Sequence, residues 1–291
     1  MISNAEPAPQ EREKVRQYFR AVLDGYKLPS LPLVVAKVIK LIRDGDVGIA
    51  MLARVIADDP ALASRVLAMS RSGYFAQRTP PSSLLDAIKV IGFKNLRVIA
   101  VATAAQGLLL SDSKISKKLW SHSVAVALAA RQIAFRVGYS APEEAYLAGL
   151  LHDIGQMILL HGDRAGYEQM AKRLETEPAA WTAIESAAYE LDHAGMGRSL
   201  LKAWDIGGDI GEAILSHHET PMLHWISLLP TIIEIADYLS AAAGFGFYAT
   251  IDRPSDDIMQ ALGWADGAGL RSAIEDLTAE FGRENVLLMG N

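Results

Sequence analysis

Ala141-Pro-Glu-Glu-Ala-Tyr-Leu-Ala-Gly-Leu-Leu-His-Asp-Ile-Gly-Gln-Met-Ile-Leu-Leu160 is the stretch from which this chain can be read. Pro142 stands near the start of an apolar segment, where proline's fixed φ and missing N–H suit the first turn of a helix, and Ser140 precedes it as a candidate cap. The spacing predicts a helix over Pro142–Leu151 and a second apolar helix over Met157–Leu160. Between them lies His152-Asp153, inside Gly149-Leu-Leu-His-Asp-Ile-Gly155. A buried imidazole is costly without a partner, and a buried carboxylate costs more, so this pair demands an explanation beyond packing.

Outward from this stretch, helical periodicity continues in both directions. No long alternating run of β-branched residues appears, which predicts an all-α fold. Towards the N-terminus, helices are expected over Glu11–Leu23, Leu33–Ile42 and Val47–Ala57. A fourth is capped by Asp59, with Pro60 at its first position, and runs to about Ser72. Gly73–Pro81 reads as a loop. Ser82 or Ser83 caps Leu84–Ile91, which Gly92 ends, and Leu96–Leu110 is apolar nearly all round, as a buried central helix is. Ser111–Ser116 is polar and reads as a linker. Trp120–Val137 follows, closed by Gly138. Beyond the opening stretch come Tyr167–Glu175, Trp181–Glu190, Ala194–Trp204, Ile210–Ser216, Ile226–Ala243, Ser255–Leu262 and Ala268–Phe281. Gly244–Tyr248 interrupts the last long run and is a candidate mobile segment.

The 291 residues are 51% hydrophobic and 21% charged, enough to bury a full core. The formal net charge of -6 argues against non-specific nucleic-acid binding, which needs a basic surface. There is no cysteine, which excludes disulfides and thiolate metal sites and fits a reducing compartment. The polar start, Met1 to Arg20, has no signal-peptide core, and no apolar run is long enough to span a bilayer. A cytoplasmic protein without a membrane partner is expected.

Five of the seven histidines fall on faces rich in apolar or small residues. His122 shares a face with Leu119, Val126 and Ile133, and His193 with Tyr189, Met196 and Leu200. His218, beside His217, follows Ile214 and Leu215. His152 has Asp153 next to it. Asp237 lies on the side of Ile233 and Ala241 within Ile232-Ile-Glu-Ile-Ala-Asp-Tyr-Leu239. Several imidazoles and two carboxylates on buried faces offset one another if they share one or two divalent transition-metal ions. Neutral imidazole and carboxylate suit Fe, Mn, Zn or Ni. A dinuclear site would hold its ions about 3.5–4 Å apart across a bridging carboxylate. Taken singly, each residue has a plainer reading as a hydrogen-bonded core or helix-end group. His161 and His224 are assigned to that plainer reading.

The order His122…His152-Asp153…Asp237 resembles the HD superfamily of metal-dependent phosphohydrolases, and His193 with His217–His218 resembles the fuller ligand set of its HD-GYP branch. The wider context is similar to the HDOD family, the HD-related output domain. Leu28-Pro-Ser-Leu-Pro-Leu-Val-Val resembles that family's opening, Ile56-Ala-Asp-Asp-Pro-Ala-Leu-Ala its next motif, and Leu85-Asp-Ala-Ile-Lys-Val-Ile-Gly the helix after it. Leu150-Leu-His-Asp-Ile-Gly, His193-Ala-Gly-Met-Gly, Trp204 and His217–His218 complete a match over about residues 28–240. The resemblance implies a helical HD domain with an N-terminal bundle half. It implies a first ion on His122, His152, Asp153 and Asp237, and a second on Asp153, His193, His217 and His218. Asp153 would bridge, and is the candidate catalytic residue. The division implied is an extension over 1–27, a domain over 28–240 with halves at about 28–113 and 116–240, and a C-terminal helical extension over 241–291.

Two functions follow. One is a regulatory module of bacterial signal transduction whose metal centre is non-catalytic or weakly catalytic and whose input arrives through a signalling protein partner. The other is a metal-dependent phosphohydrolase acting on a nucleotide or other phosphoester. After His218 the chain reads Glu-Thr-Pro-Met-Leu-His-Trp, so the Gly-Tyr-Pro of the HD-GYP pattern is missing. Gln156 stands where that pattern has a lysine able to neutralise a phosphodiester. The segment near residue 70 reads Ser-Arg-Ser-Gly where the HDOD motif often has Asn-Ser. These departures place the regulatory reading first. Lys117, Lys118 and Arg198 are the cations nearest the motifs in sequence, and each reads as an exposed helix charge. A homodimer is compatible with the chain, which offers no clean interface signal.

Overall fold

The computed structural model describes residues 17, 19–21, 28–45, 48–71, 75, 80–174, 181–218, 228–246 and 253–289. Among them the chain is helical throughout, with no strand. We label the helices α1 (Leu33–Asp44), α2 (Ile49–Ala57), α3 (Pro60–Ser70), α4 (Leu84–Leu109), α5 (Lys114–Arg136), α6 (Pro142–Leu151) and α7 (Ile154–Gly162). They continue as α8 (Arg164–Leu174), α9 (Trp181–Tyr189), α10 (His193–Ala203), α11 (Asp209–Ser216), α12 (Leu229–Ser240), α13 (Asp256–Ala261) and α14 (Ala268–Met289). A π-helical turn, Ala241–Phe245, follows α12 directly.

The N-terminal helices pack on α4. It packs against α1, α2 and α3 and also touches α6 and α7. Gly92, at φ 75 and ψ 166, breaks α4 where the sequence stops the helix, yet the chain re-enters helix at once. Asp59 caps α3 as expected, accepting from the N–H of Ala61 and Leu62, with Pro60 at the first position.

In the C-terminal part α5 is the axis. Ala125, Ala127, Ala129, Ala130 and Ala134 are all fully buried, and these short side chains let neighbours press in from every side. Helices α6, α12 and α14 do so. Gly149 on α6 gives the closest approach, because a Cβ there would stand 2.8 Å from the Val126 carbonyl oxygen and 2.9 Å from Ala127 Cα. The last helix is tied in by a partly buried ion pair, Arg131 with Glu280 at 2.6 Å, and by the rings of Phe245 and Phe281, whose centroids lie 4.2 Å apart.

Several boundaries differ from the sequence reading. The second half of the Ser111–Ser116 linker, from Lys114, already belongs to α5. Ser113 caps α5 by accepting from Ser116 N–H, and the buried Ser116 hydroxyl accepts from Ser111 N–H. Ser140 is not the cap of α6, since Ala141 holds that position without a side-chain bond. α2 begins at Ile49 behind Gly48, and Val47 lies outside the described residues. The short apolar helix at Met157–Leu160 runs from Ile154 to Gly162. Most of Glu11–Leu23 lies outside the described residues, as do 226–227 and Tyr248. Gly244 takes a left-handed φ of 86 and ends the π-helical turn.

Candidate metal centre

Each predicted ligand reaches the same place for a local reason. α6 ends at His152 and α7 starts at Ile154, so His152 and Asp153 occupy the turn between two buried helices. His217 is the residue that closes α11, and His218 follows it. Helix C-termini leave carbonyls without partners inside the helix. Here the carbonyls three residues back accept from the ring Nδ1: Gly149 from His152 at 2.8 Å, and Ile214 from His217 at 2.6 Å. His122, in the middle of α5, meets the Phe245 carbonyl of the π-helical turn at 3.1 Å through the same nitrogen. A carbonyl can only accept, so Nδ1 carries a proton in all three rings, and in the neutral imidazole this leaves the Nε2 lone pair for a ligand.

Those lone pairs converge. Asp153 Oδ2 lies 3.5 Å from His122 Nε2 and 3.3 Å from His152 Nε2, while Oδ1 lies 3.3 Å from His193 Nε2 and 3.7 Å from His217 Nε2. One carboxylate thus turns one oxygen to each of two groups. The first is His122, His152 and Asp237; the second is Asp153, His193, His217 and His218. His122 Nε2 stands 3.1 Å from Asp237 Oδ1. None of these approaches makes a hydrogen bond: His122 Nε2, His152 Nε2, His217 Nε2, both Asp153 oxygens and Asp237 Oδ1 are all buried without a hydrogen-bond partner. The rings of His193 and His218 bring Nε2 to Nε2 at 2.8 Å, an approach that only a proton or a metal cation between them makes favourable.

All seven predicted residues are therefore brought together. His218 alone is exposed; the other six are buried, none above 5% accessible. His161 is exposed, and His224 lies outside the described residues. Burial opposes ionisation of Asp153, but His152, then His217 and His193, outweigh it and hold the carboxyl well below the usual range. Burial likewise works against a protonated His152, yet Asp153 leaves it raised. His217 is lowered, chiefly by loss of solvent. Although His218 is exposed as a residue, its ring packs against His193 and His217, and that loss of solvent, then the two neighbouring rings, pushes it far down. Stranded acceptor atoms, imidazole and carboxylate in type, around a common point fit a divalent metal. The group could hold one.

His193 opens α10, and Asp192 caps that helix by accepting from Gly195 N–H at 2.9 Å. Replacing Asp192 by Ala should cost about 1 kcal/mol. The urea midpoint would fall at unchanged slope, and an unchanged midpoint would show that the cap contributes nothing.

Sequence reasoning missed Glu185. It is fully buried, and its Oε2 accepts from both the backbone N–H and the ring Nδ1 of His193, at 2.8 and 2.5 Å. A usable signal existed: Trp181, Glu185 and Tyr189 are four apart and share a helix face with two large aromatics. Gln156 is fully buried, its side-chain oxygen 3.1 Å from the Tyr167 hydroxyl. Lys117 pairs with Asp112 and Arg198 with Glu212, all four exposed, and Lys118 is exposed too.

A family model described as HDOD domain matches residues 28–220. The chain is 23% identical over 199 residues to a curated protein of Treponema pallidum (strain Nichols), named only as uncharacterized. That match takes in 67% of this chain but spans only 38% of the relative's length. Among solved structures, a protein of Shewanella amazonensis SB2B, provisionally named a phosphohydrolase, superimposes with a TM-score of 0.70 at 21% identity, covering 93% of this chain and 97% of that one. A protein of Marinobacter aquaeolei VT8, provisionally named a signal transduction protein, gives 0.71 at 19% identity, covering 96% of this chain and 65% of that one. At these identities the likeness is one of fold. No helix among the described residues is long and apolar enough to cross a membrane.

Proposed function

This chain belongs to the HDOD domain family, and from that premise we propose that it is a signal-transduction module built around a two-metal centre. The module would occupy residues 28–240, with bundle and HD halves meeting at the start of α5. The observation that supports the metal reading is the ring of buried, partnerless ligand atoms divided between the two oxygens of Asp153. His122, His152, Asp153 and Asp237 would hold one ion, and Asp153, His193, His217 and His218 the other. Divalent ions there would supply positive charge in a site otherwise made only of imidazole and carboxylate.

A regulatory rather than hydrolytic role is supported by the cations. Phosphoryl transfer depends on positive groups aimed at the developing charge. Lys117 and Arg198 are committed to surface carboxylates. Gln156, where the HD-GYP pattern has a lysine, is a neutral amide that brings no charge to the site. The second reading, a phosphohydrolase for a nucleotide or other phosphoester, is favoured by the completeness of the ligand set. In both readings the surface around exposed His218 is where a ligand or signalling partner would be sensed.

Metal analysis of protein purified without chelator tests the reading. About two first-row transition ions per chain are expected, with no turnover of a phosphodiester panel above a metal-only control. Turnover that depends on the bound ions would move the chain to the hydrolase reading. No metal, before or after reconstitution, would overturn both.

A further inference from the structure

The five histidines do not share one means of orientation. His152 and His217 end helices, where spare carbonyls are at hand, and His122 borrows a carbonyl from the π-helical turn. His193 is the first residue of α10. A helix N-terminus presents N–H groups and no free carbonyl, so nothing local can accept from the ring. The acceptor comes from another helix. Glu185 on α9 takes both the backbone N–H and the ring Nδ1–H of His193 on one oxygen. Its other oxygen accepts from the Tyr167 hydroxyl at 2.9 Å. Tyr167 is held in turn by Trp181 Nε1–H at 3.2 Å. A carboxylate this deeply buried is costly unless charge-assisted bonds hold it, and here every bond leads to His193 or braces the bond to it.

We propose that Glu185 is the positioning residue for the His193 group of the metal centre: it fixes the proton on Nδ1, aims Nε2 at Asp153 Oδ1 and His218, and is itself held in place by Tyr167. The proposal rests on the metal reading above. A carboxylate behind a ligating imidazole sets its tautomer and raises its donor strength, and losing such a partner typically costs about 10–100-fold in metal affinity. The effect should be confined to the ion on Asp153, His193, His217 and His218, because no hydrogen bond connects Glu185 to His122, His152 or Asp237.

The test uses the full chain reconstituted with cobalt(II), in wild type, E185A, E185Q and Y167F. Cobalt per chain and the affinity of each of the two ions are measured, beside the thermal midpoint of the metal-free protein. For E185A we expect one of the two ions to weaken by about 100-fold while the other changes less than about threefold. E185Q keeps an acceptor oxygen without the charge and should weaken the same ion by about 10-fold, and Y167F by less. A carboxylate that merely supports the fold would depress both ions together, and that result would overturn the proposal. So would unchanged affinities in both Glu185 variants.

A second readout needs no metal. The metal-free protein should show a downfield ring N–H proton signal by NMR that is absent from H193Q and moves upfield in E185A. If wild type binds no cobalt but this signal behaves as described, the metal reading fails and the Glu185–His193 bond stands. If the signal is indifferent to E185A, the positioning proposal fails whatever the cobalt shows.

Discussion

Asp153→Ala should leave the chain without metal, at fewer than about one ion in ten chains under conditions that load the wild type. Among the described residues Asp153 alone faces both ligand groups, with one oxygen near His122 and His152 and the other near His193 and His217. Removing it subtracts a donor and the compensating negative charge from both groups at once. An exposed ligand such as His218 takes away one donor from one group, so its loss should be milder. The consequence extends to stability. A ligand present at a thousand times its dissociation constant stabilises the folded state by about 4 kcal/mol, or roughly 10 °C in melting temperature for a chain of this size. Chelator should therefore lower the wild-type melting temperature by that order and leave Asp153→Ala unmoved. A variant that keeps two ions, or that still responds to chelator, would remove Asp153 from the centre.

Gly155→Ala should destabilise the protein by at least about 3 kcal/mol. Alanine is the better helix former by about 1 kcal/mol, so propensity alone predicts the opposite sign. The surroundings decide. A Cβ on Gly155 would overlap the His193 carbonyl oxygen and come within 2.7 Å of its carbon and 2.8 Å of Gly197 N. All three are backbone atoms, which cannot swing aside as a side-chain tip does. α10 must back away, and His193 moves with it, so the loss of stability should come with loss of the ion that His193 would hold. Gly107 on α4 is the control, with nothing within 4 Å of its Cβ direction. There alanine should be neutral or stabilising by up to about 1 kcal/mol. Equal denaturant midpoints for wild type and Gly155→Ala would show that the helices relax without penalty.

The two glycines flanking His152-Asp153 show how the motif in the sequence is related to the structure. Gly149 lets α6 close on α5 and Gly155 lets α7 close on α10, so the quoted stretch describes a point where four helices meet around two polar residues. The helical fold was legible because apolar spacing of about 3.6 survives almost everywhere in the chain. The convergence of His122, His152, Asp153, His193, His217, His218 and Asp237 was legible because polar residues on apolar faces need a shared solution. What was not legible turned on residues with two local uses. Ser113 and Ser140 are equally good in linkers and at caps, and only packing shows that Ser113 starts a helix and Ser140 does not. Glu185 looks like an ordinary surface carboxylate until Trp181 and Tyr189 on its face bury it. The carbonyls that orient His122, His152 and His217 belong to the backbone, which leaves no mark in the sequence.

The short distance between His122 and Asp237 also bears on when the centre can exist during synthesis. The two residues lie 3.1 Å apart in the folded chain and 115 positions apart along it. At roughly 5–20 residues per second on a ribosome, about 6 to 23 s separate the making of one from the making of the other. The N-terminal helices around α4 have all been made before His122, the first candidate ligand, appears. A nascent chain halted before Asp237 would hold the other six candidate ligands without the last of them.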